Sequence, residues 1–206
     1  MGSSPTFLDP VVIPLLKGDT VLDVACGLGR WGNLVRTNYW EAGIPCPVVD
    51  GFDAFAPNVK LCHGTGCYRR VWQHRLPEPV EGKWDTVLAC EIIEHLSEED
   101  AYRAVEVLES VARKRIIFST PNFLYLRGGR ETDDGYNPDE AHLSHIPRQW
   151  FERRGYRVNG AGLGNPDSTL LKVLRGLRLR GQRALSGLPV IFPSLGYLYV
   201  AHKDLD

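Results

Sequence analysis

Short apolar runs of strand length alternate with segments of helical periodicity along this chain. Seven runs have strand character, namely 21–24, 47–53, 68–72, 84–90, 115–119, 156–162 and 196–201. Helices are predicted between them, including 30–42 and 100–113. Because strands that alternate with helices form βαβ units, the pattern predicts a doubly wound α/β fold. We expect a mostly parallel seven-stranded sheet with helices on both faces and an antiparallel last strand.

The segment VLDVACGLGRWG at 21–32 marks a turn between the first strand and the helix after it. Gly27 and Gly29 remove side chains where a backbone must approach a ligand closely, and Gly32 allows the helix to pack against its strand. The N–H groups at the start of a helix are free to face a bound molecule. Asp23 stands inside the strand, where a buried carboxylate needs a partner. The segment is therefore a candidate nucleotide-binding turn.

An acidic residue at the end of the second strand supports this interpretation. Asp53 lies 21 positions beyond Gly32, a placement suited to hydrogen bonding with a ribose diol, and Ala54 follows it. The turn lacks the Gly-Lys-Ser/Thr of a phosphate-binding loop, and Arg30 replaces the small residue usual in a pyrophosphate loop. A nucleoside with an amino-acid tail fits this turn better than a dinucleotide does.

Two polar segments follow later strands. The strand at 84–90 runs into EIIEHL at 91–96, and the strand at 115–119 ends in TPN at 120–122. In an open α/β sheet, ligands bind beyond the carboxyl ends of the strands. Glu91 is therefore expected at the same edge as Asp23 and Asp53.

Together these motifs resemble the class I S-adenosylmethionine-dependent methyltransferases, whose turn usually reads Asp/Glu-x-Gly-x-Gly-x-Gly. The combination of Glu-x-x-Glu-His-Leu with Thr-Pro-Asn is similar to a subgroup that includes ubiquinone-biosynthesis O-methyltransferases and many glycan and natural-product enzymes. The likeness covers about 21–158. It implies a Rossmann-like fold and S-adenosylmethionine as the cofactor. The chain departs from the pattern at Ala25, which stands at the first glycine of the turn.

The resemblance also implies which residues contact the cofactor. These are the turn, the end of the second strand and the residue after the fourth strand: Asp23, Ala25, Gly27, Gly29, Asp53, Ala54 and Glu91. The acidic residue that such enzymes often carry after the third strand is missing here. Trp72 or Gln73 stands in its place, and we expect adenine to be held there by stacking or by backbone contacts.

Candidate catalytic residues are histidines. Methyl transfer is an in-line displacement at a carbon activated by the sulfonium, so the protein aligns an acceptor and, for a hydroxyl, takes its proton. His95 is the best-placed base, although a histidine packed under the next helix is the competing interpretation. His142 and His145 follow in DEAHLSH at 139–145 and are expected to face the acceptor.

A divalent metal is an alternative use of the same residues. Glu91, Glu94 and His95 place oxygen and nitrogen ligands within about one helical turn, which suits Mg²⁺ or a similar ion. In small-RNA 2′-O-methyltransferases and some ubiquinone-pathway enzymes, a matching motif with a later histidine, here His142 or His145, binds a metal that grips the acceptor hydroxyls. Many relatives carry the motif without a known metal, so a metal-free site is our expectation.

Composition narrows the class of protein. The formal net charge of −1 over 206 residues gives no general reason to expect nucleic-acid binding. Five scattered cysteines, an odd number, favour reduced thiols in a cytoplasmic protein. Cys62, His63 and Cys67 do not have the spacing of a zinc site. No apolar run approaches the roughly 18 residues of a membrane-spanning helix.

We expect 1–206 to form a single methyltransferase domain with two additions. The first is a polar, turn-rich loop at about 123–146, which is expected to form a lid or acceptor wall. The second is a basic amphipathic insertion at about 163–195, with a predicted helix at 168–186. That helix is open to three interpretations: a solvated surface, a partner or dimer surface, or a contact with an anionic membrane.

The sequence thus favours a cytoplasmic methyltransferase that acts on oxygen of a small molecule or glycan precursor. An RNA 2′-O-methyltransferase that uses a metal is the first alternative, supported by the basic helix and opposed by the near-neutral charge. A nicotinamide-dependent oxidoreductase and a non-catalytic nucleoside-binding module are alternatives from other classes. The acceptor and the oligomeric state remain open.

Overall fold

A seven-stranded sheet lies at the centre of the structure, a computed structural model that describes residues 4–164 and 188–205. Two further strands form a separate hairpin. In chain order the strands are β1 (Thr20–Val24), β2 (Val48–Asp53), β3 (Arg70–Gln73), β4 (Trp84–Cys90), β5 (Ala112–Pro121), β6 (Arg130–Thr132), β7 (Gly135–Asn137), β8 (Arg157–Leu163) and β9 (Gly196–Asp204).

The strand order and directions confirm the predicted fold class. The order is β3-β2-β1-β4-β5-β9-β8. The pairs from β3 to β5 are parallel, whereas the last strand, β9, runs antiparallel to both β5 and β8. β1 therefore lies between β2 and β4, where the strand order reverses, and a crevice opens at such a point beyond the carboxyl ends of the strands.

The described residues contain six α-helices, of which the second, third and fourth connect parallel strands close to the predicted positions. They are α1 (Asp9–Val12), α2 (Arg30–Glu41), α3 (Ala56–Gly64), α4 (Glu98–Val111), α5 (Arg148–Arg153) and α6 (Leu188–Ile191). The N-terminus of α4 is capped by Ser97, whose Oγ accepts a hydrogen bond of 3.2 Å from the Asp100 N–H. α4 ends two residues before the predicted 113, because β5 begins directly at Ala112.

Alternate residues of the central strands pack into two cores on opposite faces of the sheet. In β4, Val87 and Ala89 belong to the core covered by α4 and α5, whereas Leu88 and Cys90 belong to the core covered by α1 and α2. Successive side chains of a strand point to opposite faces, so two covered faces favour a strand that is mostly apolar. Every residue of β4 is buried, as predicted for 84–90, including the polar Asp85 and Thr86, which hydrogen bond to the chain just before β1.

The polar loop predicted at 123–146 contains regular structure. β6 and β7 pair antiparallel, joined at the two-residue turn Asp133-Asp134, and Gly135 has a φ of +103°. The Thr132 hydroxyl closes the turn by donating 2.6 Å to the Gly135 carbonyl oxygen. Strands of three residues are too short to show alternation, which explains why this segment reads as a loop.

Only the two ends of the predicted basic insertion at 163–195 are among the described residues. Its start, Leu163, closes β8, and its end forms α6 and a 3₁₀ turn at Pro193–Leu195. The helix predicted at 168–186 lies outside the described residues. Among the helices that the structure describes, none is long and apolar enough to span a bilayer.

Asp23 in β1 is held by a partner from the edge of the sheet. Its side chain is 1% exposed, and its Oδ2 accepts a hydrogen bond of 2.6 Å from the Tyr68 hydroxyl. That hydroxyl in turn accepts 3.1 Å from the Gly32 N–H, in the first turn of α2. A Cβ at Gly32 would lie 2.4 Å from the Tyr68 ring, so the glycine is required for this contact. Asp23 thus joins β1, α2 and the segment before β3.

Burial makes Asp23 costly to ionise. It raises the pKa of Asp23 from 3.8 to about 7, and the nearby Asp53 carboxylate adds to the rise. The folded chain then holds this proton more tightly than the unfolded chain does. The resulting stabilisation is complete below pH 3.8 and is lost as the pH rises through about 7.

We therefore predict that Asp23→Asn removes a pH dependence of stability. From pH 6 to pH 8, the wild-type free energy of unfolding should fall by about 1 kcal/mol more than that of the variant. Urea unfolding at each pH measures this difference, and Asp134→Asn, at an exposed position, provides the matched control. Parallel curves for wild type and Asp23→Asn would contradict the assignment.

Candidate active site

A cavity opens at the carboxyl edge of the sheet, beyond β1, β2 and β4. Both of the main sequence motifs contribute to its wall: the glycine turn through Gly27, and the Glu-x-x-Glu-His-Leu motif through His95. The described residues that line it are Ser4, Pro5, Ala25, Cys26, Gly27, Leu28, Arg30, Trp31, Asp53, Ala54, Asn58, Cys90, Glu91, Ile92, His95, Arg127, Asn137, Asp139 and Glu140. An adjoining slot is lined by apolar Leu76 and Leu96 together with His74.

The glycine turn after β1 has left-handed backbone at three positions. Ala25, Gly27 and Gly29 have φ angles of +54°, +53° and +79°. Glycine adopts such angles freely, whereas alanine does so at a cost of about 1 kcal/mol. Ala25 therefore replaces the usual glycine without changing the turn, and its strain lies directly on the cavity wall.

Asp53 fastens this turn to the end of β2. Its Oδ2 accepts 2.8 Å from the Gly27 N–H, and its Oδ1 accepts from the Phe55 N–H (2.9 Å) and from Nδ2 of Asn58 (3.2 Å). Each carboxylate oxygen has about two lone-pair positions, so Oδ2 can accept one further hydrogen bond. Asp53 is thus a structural anchor with one position left for a ligand hydroxyl.

The two polar motifs after β4 and β5 are hydrogen bonded to each other. Ser119 Oγ donates 2.9 Å to Oε1 of Glu91, and Thr120 Oγ1 donates 2.9 Å to Oε2 of Glu94. Glu91 itself has a φ of +56°, so its backbone is strained at the cavity wall. The pairing gives a physical reason for the presence of both motifs in one chain.

Both glutamates are difficult to ionise in this position. Burial raises the pKa of Glu91 to about 7, against the opposing effect of the Ser119 hydrogen bond. Burial also raises the pKa of Glu94 well above its usual range, and the charge of Glu91 adds to that rise. Glu94 is 2% exposed, and its Oε1 is buried without a hydrogen-bond partner. Such an atom is costly unless a ligand reaches it.

His95 is a neutral imidazole with one free lone pair. Its Nδ1 lies 3.0 Å from the carbonyl oxygen of Ala141. Because a carbonyl only accepts, Nδ1 carries the proton and Nε2 keeps its lone pair. Burial lowers the pKa of His95 to about 4, which keeps the ring uncharged at neutral pH.

His142 stands behind His95 and does not line the cavity. The two rings meet edge to face with centroids 4.6 Å apart. Burial and the neighbouring His95 lower the pKa of His142 to about 4. One donor atom each from Glu94, His95 and His142 lies within 4.8 Å of the others, the geometry of a candidate metal site. Glu91 and His145 are not part of this group.

Several predicted cofactor residues lie away from the cavity wall. Asp23 is beneath the turn, and the Trp72 ring stacks on Trp84 with centroids 6.2 Å apart, covered by Arg70. Gln73 instead donates 2.9 Å to the carbonyl oxygen of Ala54, which supports that part of the wall. Gly29 faces Cys62 instead of the cavity, because a Cβ at Gly29 would lie 3.3 Å from the Cys62 sulfur.

The structure adds wall residues that the sequence did not single out. Arg30 pairs with Asp9 (Nη2 to Oδ1, 2.5 Å), while its Nη1 is buried without a hydrogen-bond partner. Asp139 from the predicted lid is held by Arg75 through two bonds of 2.6 and 2.9 Å. These contacts join residues far apart in the chain, and no local pattern announces them.

Comparison with solved structures supplies the fold family, although no protein-family model and no curated protein sequence matches the chain significantly. A magnesium protoporphyrin IX methyltransferase (ChlM) from Synechocystis PCC 6803 with bound SAH superposes with a TM-score of 0.56 at 17% identity, over 97% of this chain and 80% of the other. For a SAM-dependent methyltransferase from Archaeoglobus fulgidus the TM-score is 0.53 at 18% identity, over 95% and 90%. For an S-adenosylmethionine-dependent methyltransferase from Mesorhizobium loti it is 0.53 at 12% identity, over 97% and 98%. The chain therefore has the Rossmann-like fold of class I S-adenosylmethionine-dependent methyltransferases.

Proposed function

We propose that this chain is an S-adenosylmethionine-dependent methyltransferase that transfers a methyl group to oxygen of a small molecule or glycan precursor. The observation that carries the proposal is the composition of one cavity. The glycine turn anchored by Asp53 opens onto the same space as Glu91 and the neutral His95. A nucleoside cofactor and a hydroxyl acceptor can thus meet there.

The polar groups of the wall match the parts of S-adenosylmethionine. Arg30 has an unused buried N–H for the cofactor carboxylate. The free lone pair on Asp53, with the neighbouring Asn58, suits the ribose hydroxyls. Glu91, whose pKa is raised to about 7 by burial, gains its charge most easily beside a cation such as the sulfonium. The apolar slot at Leu76 is the position we propose for adenine.

The same carboxyl groups oppose a nicotinamide dinucleotide. A pyrophosphate places two negative charges near the glycine turn, where Asp53 and Glu91 lie. A nearby negative charge makes a buried carboxyl group still harder to ionise. A dinucleotide would therefore meet an electrostatic cost that a cationic cofactor does not meet.

His95 is proposed to receive the proton of the acceptor hydroxyl. Its Nδ1–H is held by Ala141, which leaves Nε2 as the acceptor atom. Since the sulfonium already activates the methyl carbon, alignment of the hydroxyl beside this lone pair is the main task of the protein. The low pKa makes His95 a weak base, so its contribution should lie at the lower end for general bases.

A metal-assisted variant of this function, including the RNA 2′-O-methyltransferase alternative, is favoured by one observation. Glu94 has a buried unpartnered Oε1, and it would bind the ion together with His95 and His142. A bound divalent ion would supply Lewis-acid polarisation of the acceptor hydroxyl. Two imidazoles and one carboxylate suit Mn²⁺, Fe²⁺ or Zn²⁺ better than Mg²⁺.

If this site binds an ion, Mn²⁺ should raise the unfolding temperature of wild type but not that of His142→Ala. The same unfolding temperature of wild type with and without Mn²⁺ would contradict the site.

The acceptor class, the cytoplasmic location and a membrane contact through 168–186 remain predictions from the sequence. The described residues contribute one constraint on the acceptor. The predicted lid provides Asn137 and Glu140 to the wall beside His95, so it is the proposed acceptor side of the cavity.

Replacement of Asp53 by alanine should weaken cofactor binding. The variant loses the proposed ribose contact and releases the Gly27 N–H, so affinity for S-adenosylhomocysteine should fall by about 1–3 kcal/mol, or roughly 5- to 150-fold. Calorimetric titration measures the change, with the exposed Asp134→Ala as control. An unchanged dissociation constant would remove Asp53 from the site.

Replacement of His95 by alanine should separate chemistry from cofactor binding. Turnover should fall by about 100-fold if the ring receives the acceptor proton. The dissociation constant of S-adenosylhomocysteine should stay within about twofold, because His95 is assigned to the acceptor. Turnover is followed with the best acceptor from a screen of phenols and sugars with and without a carboxylate or phosphate group, and His63→Ala, exposed on α3, is the control. Turnover equal to wild type would reassign His95 to packing against His142.

A further inference from the structure

Arg127 is fixed in the cavity wall by its backbone. It forms an isolated antiparallel bridge with His142: the Arg127 N–H donates 3.3 Å to the His142 carbonyl, and the His142 N–H donates 3.0 Å in return. The bridge lies within the predicted lid, and the Arg127 side chain lines the same cavity as His95. The bridge therefore fixes the backbone position from which the Arg127 side chain reaches the cavity.

The guanidinium has donors to spare. Its Nε is buried without a hydrogen-bond partner. Its Nη2 lies 3.5 Å from Oε2 of Glu140, well beyond the roughly 2.8 Å of a good charge-assisted bond. The charge of Arg127 also acts on the neighbouring Glu94, but Oε1 of Glu94 and Nε of Arg127 both lack a hydrogen-bond partner. A partly buried cation with unused N–H groups is costly unless an anion completes it.

The cavity contains two such guanidiniums. Arg30 follows the glycine turn directly and also has a buried N–H without a partner. S-adenosylmethionine brings a single carboxylate, and the turn beside Arg30 is where its amino-acid tail is placed. Arg127, on the wall with His95, has only the 3.5 Å contact with Glu140 and gains no anion from the cofactor. The other substrate can supply a second oxyanion.

The geometry points to an acceptor that carries an oxyanion, a carboxylate or a phosphate, bound by Arg127 so that its hydroxyl lies beside His95. This inference rests on the proposed function and narrows its substrate class. A bidentate contact with a planar guanidinium fixes orientation as well as position, which an in-line transfer requires. Neutral sugars and neutral phenols are accordingly poor acceptors.

Calorimetry on the full chain saturated with S-adenosylhomocysteine tests this assignment. The probes are benzoate, phenyl phosphate and the neutral benzamide, each titrated into wild type, Arg127→Gln, Arg127→Lys and Arg130→Gln. Arg130 is exposed on β6 of the same lid and makes the same change of charge. We expect at least one anion to bind wild type and Arg130→Gln at least 10-fold more tightly than Arg127→Gln, with Arg127→Lys in between. Benzamide should not discriminate among them.

Each outcome decides a separate point. Stronger binding of benzoate identifies a carboxylate acceptor, and stronger binding of phenyl phosphate identifies a phosphorylated one. Equal losses in Arg127→Gln and Arg130→Gln, or no preference for an anion over benzamide, would overturn the inference. An unchanged affinity of Arg127→Gln for S-adenosylhomocysteine shows that the variant is folded. Failure of wild type to bind that nucleoside would instead overturn the proposed function.

Discussion

Four carboxyl groups lie at one edge of the sheet, and burial raises the pKa of each of them. These are Asp23, Asp53, Glu91 and Glu94. Desolvation is the first cause in every case, so each of these groups resists ionisation and becomes charged more readily beside a cation. Such an edge favours ligands that bring a cation or hydroxyl donors, and it disfavours a pyrophosphate placed directly beside Asp53 and Glu91 at the glycine turn.

Satisfying these groups determines much of the local structure. Tyr68 approaches Asp23 across the face of Gly32, and the turn N–H of Gly27 closes on Asp53. Ser119 and Thr120 at the end of β5 serve the two glutamates after β4. The left-handed backbone at Ala25 and Glu91 is maintained by these surrounding contacts, as strained positions at ligand sites generally are.

The bounds of a strand were predicted correctly where its own residues determine them, and not where distant partners do. β4 agrees residue for residue with 84–90, because a mostly apolar run of strand length between polar segments indicates a buried strand. β5 begins at Ala112, earlier than the predicted 115, because its charged start is neutralised by distant partners: Lys114 pairs with Asp85, and Arg115 with Asp204. Nothing near those residues in the chain shows this.

The candidate site was predictable where motifs carry it and not where long-range contacts do. The turn, Asp53, Glu91 and His95 meet at one cavity, as their strand-end positions indicated. Trp72 or Gln73 was expected on the adenine side, and the structure adds that the Trp72 ring stacks on Trp84, a contact that the sequence did not indicate. Arg30 depends on Asp9, 21 residues away, and Arg127 on its bridge to His142. Tertiary pairing of this kind is invisible to periodicity.

The central claim is that the buried carboxyl groups select the cofactor. A calorimetric comparison of S-adenosylhomocysteine with NADH on the wild-type chain tests it directly. The account predicts that S-adenosylhomocysteine binds, with its ammonium and ribose hydroxyls at the carboxyl-rich edge, and that NADH does not compete. Binding of NADH with no response to S-adenosylhomocysteine would contradict it.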